Sequence, residues 1–330
     1  MCGLAGMHRR TARLIPQVNR LADELLLSIE ERGRHATGYL SLMENGKVQL
    51  QKETGPASRF IRTRGAICDD ARTVLLHTRY ATTGGRGPLN AHPQASGRVA
   101  AVHNGTVYNA DEIFDAFDLP RNATVDSEVI PALIDYAGWD QAEAAMELLD
   151  GSAALAMIHT EHPKEVILAR VKGYPLVYGV TRDVVVWAST EKAIQRAWHR
   201  TFDRKFPGEV VVLNEREIVR VNGKLTLVTL SALPLPAPRP IKVKDRKKQA
   251  IGVGSKRARR RHKRAALRPW PVPAKPADFD FDYGWYDEDE IDQLMADGMT
   301  RDGAETALYS RQRSTAGMSP ATLAWNLLED

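Results

Sequence analysis

Along the first 230 positions apolar residues recur with two periods. In IPQVNRLADELLLSIEERG, Val18, Leu21, Leu25, Leu26 and Ile29 share one side of a 3.6-residue repeat, which predicts a helix closed by Gly33 as its C-cap. The same period predicts helices over Asp111–Phe117, Ser127–Tyr136 and Gln141–Leu149. The second period is two. TGYLSLMENGKVQLQKE reads as a hairpin, with Asn45 and Gly46 supplying positive φ angles at the turn. RTVLLHTRY, RVAAVHN, AALAMIHT, EVILARV, LVYGV, DVVVWAS, EVVVLN and EIVRV are further strand candidates. Short strands with interspersed helices predict an α+β arrangement of sheets covered by helices.

After residue 230 the pattern changes. Prolines at 234, 236, 238 and 240 favour an extended linker. KVKDRKKQAIGVGSKRARRRHKRAALR has almost no large apolar groups, so the expectation over 231–275 is a Pro-rich and then basic, disordered linker. Residues 276–330 read as an acidic tail with two short helices, Glu288–Asp297 and Ser319–Leu328. Charge sharpens these boundaries. Residues 1–237 hold 28 Lys+Arg against 27 Asp+Glu, residues 238–275 hold 15 against 1, and residues 276–330 hold 3 against 13. A nearly neutral body is thus followed by a +14 arm and a −10 tail, as at the junction of a folded domain and an appendage.

Composition narrows the class. The chain is 43% hydrophobic and 26% charged, as in globular proteins. No run of some 18 apolar residues predicts a membrane span, and MHRRTARLIPQ breaks any signal-peptide core. Two cysteines, Cys2 and Cys68, cannot build a disulfide framework, so a cytoplasmic location is the expectation. Cys68 reads as an ordinary thiol in a loop or at a strand edge. TTGGRG lacks the Lys-Ser/Thr of a phosphate loop, and no Cys/His spacing suggests zinc, so neither a cofactor nor a metal is expected.

The chemistry-bearing residues sit in short segments beside apolar strands: MCGLAG at the start, RGRHATG at 32–38, HTRYATTGGRGPLNAHP at 77–93 and VHNGTVYN at 102–109. Cys2 alone could begin a buried strand. If Met1 is removed, the same residue instead carries a thiol nucleophile and an α-amine base. Taken in order, MCGLAG, HTRYATTG…NAHP, HNG and DSEVI resemble the glutaminase domain of class II glutamine amidotransferases. The likeness is closest to the domain of glucosamine-6-phosphate synthase and extends through LARVKGYPLVYG and WASTEKAI to about residue 225.

The resemblance implies a four-layer αββα N-terminal-nucleophile hydrolase sandwich over residues 1–230, acting on L-glutamine. Cys2 would be the nucleophile, and the Asn104 side chain with the Gly105 N–H would form the oxyanion hole. Arg79 would bind the glutamine carboxylate with help from Thr82, and Asp126 would bind its ammonium group. Tyr80, where the closest relatives often carry Trp, would open a loop running to Asn90 that closes over the substrate. From its residue type alone, Asp126 could also be a helix N-cap. His77, His92 and His103 are expected to orient loops or fill strand positions. His35 stands where the family pattern RGxD carries aspartate.

The likeness stops before any ammonia-consuming domain, so the expected partner is a separate synthase working in trans on a sugar phosphate, nucleotide or modified base. Residues 242–268 could hold nucleic acid or an acidic partner through phosphate or carboxylate pairing. No membrane partner is expected. The other reading is a catalytically idle, glutaminase-like binding module whose basic arm is its working part.

Overall fold

The computed structural model describes residues 1–11, 17–65, 67, 69–82 and 84–232. Within these, the period-two segments pair into two antiparallel sheets. One, of seven strands, has the spatial order β11 (Val210–Val212), β9 (Val177–Val180), β10 (Val184–Ala188), β1 (Gly3–Arg9), β4 (Ala71–Arg79), β2 (Ala36–Met43) and β3 (Val48–Thr54). The other, of six, runs β13 (Leu227–Ala232), β12 (Glu217–Val221), β8 (Val166–Lys172), β7 (Gly151–His159), β6 (Val99–Val107) and β5 (Gln94–Ser96).

Alternation along each strand sends its apolar residues to two different cores. In β1, Leu4 joins Leu40, Leu75, Val102, Ala156 and Leu168 in a core between the sheets. Ala5 and Met7 of β1 point the other way, onto α1 (Val18–Ile29), α2 (Ala57–Thr63) and α6 (Glu191–Phe202). The outer face of the six-stranded sheet packs against α3 (Ala110–Phe117), α4 (Val129–Ala137) and α5 (Ala142–Glu147). Three cores between four layers make the αββα sandwich expected from the resemblance.

Local differences have identifiable causes. Gly33 has extended backbone and closes a 3-10 turn over Glu30–Arg32 rather than a left-handed helix end. A Cβ there would lie 2.5 Å from the Arg79 carbonyl carbon and 2.7 Å from the Tyr80 nitrogen, so close passage of two backbones is what requires glycine. At the hairpin only Gly46 has a positive φ, of 82°, while the Asn45 side chain accepts a hydrogen bond from the Lys47 N–H at 3.0 Å. The turn therefore spans four residues instead of two. The helix expected from Ser127 begins as a 3-10 turn, Asp126–Glu128, and becomes α-helical at Val129.

Helix α6, capped by the Thr190 hydroxyl, and the short α2 were not anticipated. Strand β13 runs to Ala232; the rest of the expected linker, the tail and both terminal helices lie outside the described residues, as does Cys68. No helix among the described residues is long and apolar enough to cross a membrane.

Gly6 marks a tight part of the sandwich, since a Cβ there would collide with the Trp187 ring and the Val74 carbonyl. Gly6→Ala is expected to lower the unfolding free energy by roughly 1–3 kcal/mol, the usual cost of overpacking. Gly65→Ala meets only the Gln49 side chain, at 3.9 Å, and should change it by less than ~0.5 kcal/mol. Urea denaturation of the two variants measures both values.

Candidate active site

The register of β1 against β4 sets Gly3 opposite Thr78 and Leu4 opposite His77, which carries Cys2 to the end of β4. The Tyr80 N–H donates to Cys2 Sγ at 3.2 Å, and the thiol lies 3.4 Å from the Tyr80 carbonyl, to which it donates. Arg32 Nε donates to the Cys2 carbonyl at 2.9 Å and fixes the backbone on the other side. Burial pushes the Cys2 thiol up; the Tyr80 N–H, Arg79, the chain's amino terminus and Arg32 oppose that shift without cancelling it. The resting sulfur is therefore a neutral thiol at pH 7.

The second sheet supplies Asn104 and Gly105 from β6. Asn104 is fully buried, and its Nδ2 donates to Ser189 Oγ at 3.0 Å. Ser189 Oγ also accepts from the Leu4 N–H at 3.0 Å and donates to the Leu4 carbonyl at 3.2 Å, so Asn104 is tied to the strand that begins at Cys2. Gly105 has φ 155°, and a Cβ there would collide with the Ser152 carbonyl; no other residue fits.

Arg79, only 2% exposed, donates to the Gly85 carbonyl at 2.6 Å. Gly85 N–H in turn donates to Thr124 Oγ1, and Thr124 donates through both its N–H and its hydroxyl to Asn90 Oδ1, at 2.9 and 3.1 Å. Asp126 does not cap the following turn. Its Oδ2 instead accepts from the Val107 N–H at 2.7 Å, fastening it to the end of β6. Tyr80 and Thr82 are exposed in the loop after β4.

The structure thus gathers Cys2, Arg79 and Tyr80 where β1 begins and β4 ends, binds Asn104 to β1 through Ser189, and fastens Asp126 to β6. Four contributors were not singled out from sequence: Arg32, Ser189, Lys52 and Glu128. Lys52 is fully buried on β3, and burial lowers its ammonium to about 7, against the attraction of Glu128. Glu128 accepts from the Asn122 and Ala123 N–H groups at 2.8 and 2.7 Å. The signal for Lys52 was its place in VQLQKET, two residues beyond Leu50 on the apolar side of the alternation.

Beneath the strand ends three imidazoles pack together. His77 and His92 have ring centroids 4.2 Å apart, and His92 and His103 lie 6.4 Å apart. His77 Nε2 donates to the His103 carbonyl at 3.1 Å, and His103 Nδ1 pairs with Ser127 Oγ at 2.8 Å. Burial lowers all three, His77 to about 3. An imidazole whose folded value is depressed binds fewer protons than in the unfolded chain. Its contribution to stability is complete above about pH 6.5 and is lost as the pH falls toward 3. The urea midpoint should therefore drop on acidification through this window. His92→Phe, which removes a ring whose two nitrogens have no hydrogen-bond partner among the described residues, should flatten that drop. Its stability at pH 7 should change by less than ~1.5 kcal/mol.

Residues 76–196 match the family described as glutamine amidotransferase domain. The chain is 32% identical over 191 residues to glutamine–fructose-6-phosphate aminotransferase [isomerizing] of Acinetobacter baylyi, covering 54% of this chain and 30% of that protein. It is 31% identical over 252 residues to the Bacteroides thetaiotaomicron enzyme of the same name, covering 70% and 38%. The chain thus spans well under half the length of these relatives. Among solved structures, glutamine phosphoribosylpyrophosphate amidotransferase from B. subtilis superposes with a TM-score of 0.57 at 21% identity, covering 71% of this chain and 50% of that one, a likeness of fold. Residues 76–196 thus carry a class II glutamine amidotransferase domain, related to that of glucosamine-6-phosphate synthase.

Proposed function

We propose that residues 1–230 form a glutaminase unit that hydrolyses L-glutamine to glutamate and ammonia through a Cys2 thioester once Met1 has been removed. The observation that carries this reading is the contact of Cys2 Sγ with the Tyr80 peptide beside Arg79, on a strand bound to Asn104 through Ser189. A thiol raised by burial needs a base to become a nucleophile. Loss of Met1 turns the Cys2 nitrogen from a peptide N–H into an amine of pKa about 8 on the same residue.

That amine takes the thiol proton as sulfur attacks the side-chain amide carbon of glutamine. The carbonyl oxygen becomes an anion that the Asn104 Nδ2 and Gly105 N–H are suited to receive. One Nδ2 hydrogen is engaged by Ser189, which orients the second. Collapse breaks the C–N bond, the proton passes to the departing nitrogen as ammonia, and a thioester remains. Water, losing a proton to the amine, then releases glutamate and restores the thiol. Arg79 offers a guanidinium fork to the substrate carboxylate, assisted by Thr82, and Asp126 offers its carboxylate to the ammonium. Tyr80 lines the entrance.

Ammonia is proposed to pass to a synthase acting on a sugar phosphate, nucleotide or modified base, a reading supported by the likeness to the aminotransferase relatives. The basic stretch 242–268 is proposed to hold nucleic acid or an acidic partner by charge. No observation favours the non-catalytic reading.

Intact mass and ammonia release test the chemistry. Cys2→Ala is expected to abolish release, Asn104→Ala to lower kcat about 10²–10³-fold, and Arg79→Lys mainly to raise KM for glutamine. Equal background rates for Cys2→Ala and a protein shown to lack Met1 would end the glutaminase reading. For the arm, retention on DNA and RNA should fall steeply with salt and disappear when residues 238–330 are deleted. Undiminished retention after deletion excludes it.

A further inference from the structure

His35 lies between Gly33 and β2, and its contacts converge on three consecutive residues at the site. Its N–H donates to the Arg79 carbonyl at 2.9 Å, and its Nδ1 accepts from the Ala81 N–H at 2.9 Å. Its ring stacks on Tyr80, with centroids 4.7 Å apart and planes inclined by 27°. Between the two peptide groups that His35 holds lies Tyr80, whose own N–H and carbonyl both meet Cys2 Sγ. The His35 carbonyl is itself anchored by the Gly55 N–H at 2.8 Å, at the end of β3. His35, through its N–H and its imidazole, and the Cys2 sulfur therefore hold the same two peptide groups, those on either side of the Tyr80 α-carbon.

We propose that His35 is a positioning residue for the Cys2 nucleophile, and that its Nδ1 lone pair makes the grip dependent on protonation. The inference rests on the glutaminase reading but concerns a group outside the reacting atoms. With Nδ1 unprotonated, the Ala81 N–H has an acceptor and the Tyr80 N–H is held toward sulfur. Protonation places a second N–H against the Ala81 N–H, and two donors facing each other cannot bond. The loop then loses its anchor one residue from the thiol contact.

The charged groups facing the ring favour the neutral form. Arg86 in the loop after β4 and Arg79 at the end of that strand are cationic in every form of the chain, as is the amino terminus while Met1 is retained, and they add to desolvation in lowering the imidazole. The other titratable groups in contact are the Tyr80 phenol, which stacks on the ring, and the Cys2 thiol beyond it. The grip is thus complete at neutral pH and released below the ordinary imidazole range.

Two variants separate the elements of this proposal. Asn in His35→Asn places a carbonyl oxygen where Nδ1 stands, an acceptor that does not titrate. Phe in His35→Phe keeps a ring to stack on Tyr80 and removes the acceptor. The readouts, on the full-length protein, are kcat/KM for glutamine from pH 5 to 9 and the Cys2 thiol titration, followed by iodoacetamide alkylation of the Cys2 peptide. Circular dichroism at each pH confirms that the chains stay folded.

In the unsubstituted protein the acid limb of log kcat/KM should have a slope of one while only the α-amine protonates. It should steepen toward two below the ordinary imidazole range, as His35 joins it. His35→Asn should match it at pH 8 and keep a slope of one throughout. His35→Phe should raise the Cys2 thiol value, by weakening the Tyr80 N–H contact, and lower kcat/KM about five- to tenfold at pH 8. A two-proton limb that persists in His35→Asn overturns the proposal, as does a His35→Phe thiol titration identical to the original. If the unsubstituted protein releases no ammonia, the glutaminase reading fails and the thiol titration alone decides on His35.

Discussion

One hydroxyl ties the two sheets together beside the thiol. Ser189 Oγ accepts from the Leu4 N–H, donates to the Leu4 carbonyl and accepts from Asn104 Nδ2, while the Ser189 N–H donates to the same Leu4 carbonyl at 2.9 Å. A serine hydroxyl has one hydrogen and two lone pairs, and all three are used. Ser189 and Asn104 are wholly enclosed, so no water could replace a lost partner at small cost. Leu4 is two residues from Cys2, so the position of the thiol relative to Asn104 is carried by two strands and one oxygen. An oxyanion donor, the role proposed for Asn104, is useful only if it is held in place, and this arrangement would give it that stiffness.

The same constraint accounts for the polar residues on apolar strand faces. Leu75 faces the core between the sheets, and alternation puts His77 and Arg79 on the same side; Val102 does the same for Asn104. Toward the strand ends, the face that elsewhere is leucine and valine becomes imidazole, guanidinium and amide. Each such group is buried at a cost that packing alone would not repay, so each must be partnered. His77 is bound to the His103 carbonyl, Arg79 to the Gly85 carbonyl and Asn104 to Ser189. A break in hydrophobic alternation near a strand end is therefore the physical form of the short motifs.

That is why the motif residues were legible in the sequence and others were not. HTR and HNG declare themselves as polar groups where apolar ones belong, and the strands carrying them were visible from their period, while DSE stands at the start of a helical repeat. Lys52 broke the alternation in the same way, but its meaning depends on Glu128, 76 positions later in the chain. Arg32 acts on a Cys2 carbonyl thirty residues away, and Ser189 on Leu4 at the far end of the domain. Such partners follow from sheet order, which local pattern does not specify. Helix α6 was missed for a different reason. Ala193, Ile194, Ala197, Trp198 and Thr201 form its buried face, but the intervening charges mask the stripe, and the preceding strand draws attention away.

The loop after β4 has two anchors of different character. On its near side, backbone contacts with Cys2 and His35 hold Tyr80 and Ala81. On its far side, Gly85 and Asn90 are bound through Thr124 to the segment that Glu128 holds by the Asn122 and Ala123 N–H groups. That segment leads directly into Asp126, which is fastened to β6 by the Val107 N–H. Arg79 and Asp126, proposed to bind the carboxylate and the ammonium on the α-carbon of glutamine, therefore belong to one hydrogen-bonded frame and not to two independent loops. A displacement that lengthened the distance between them would have to break the Thr124 bonds to Asn90 and Gly85. In the roles proposed for them, that coupling would select an α-amino acid, whose carboxylate and ammonium are separated by a single carbon and tolerate little slack.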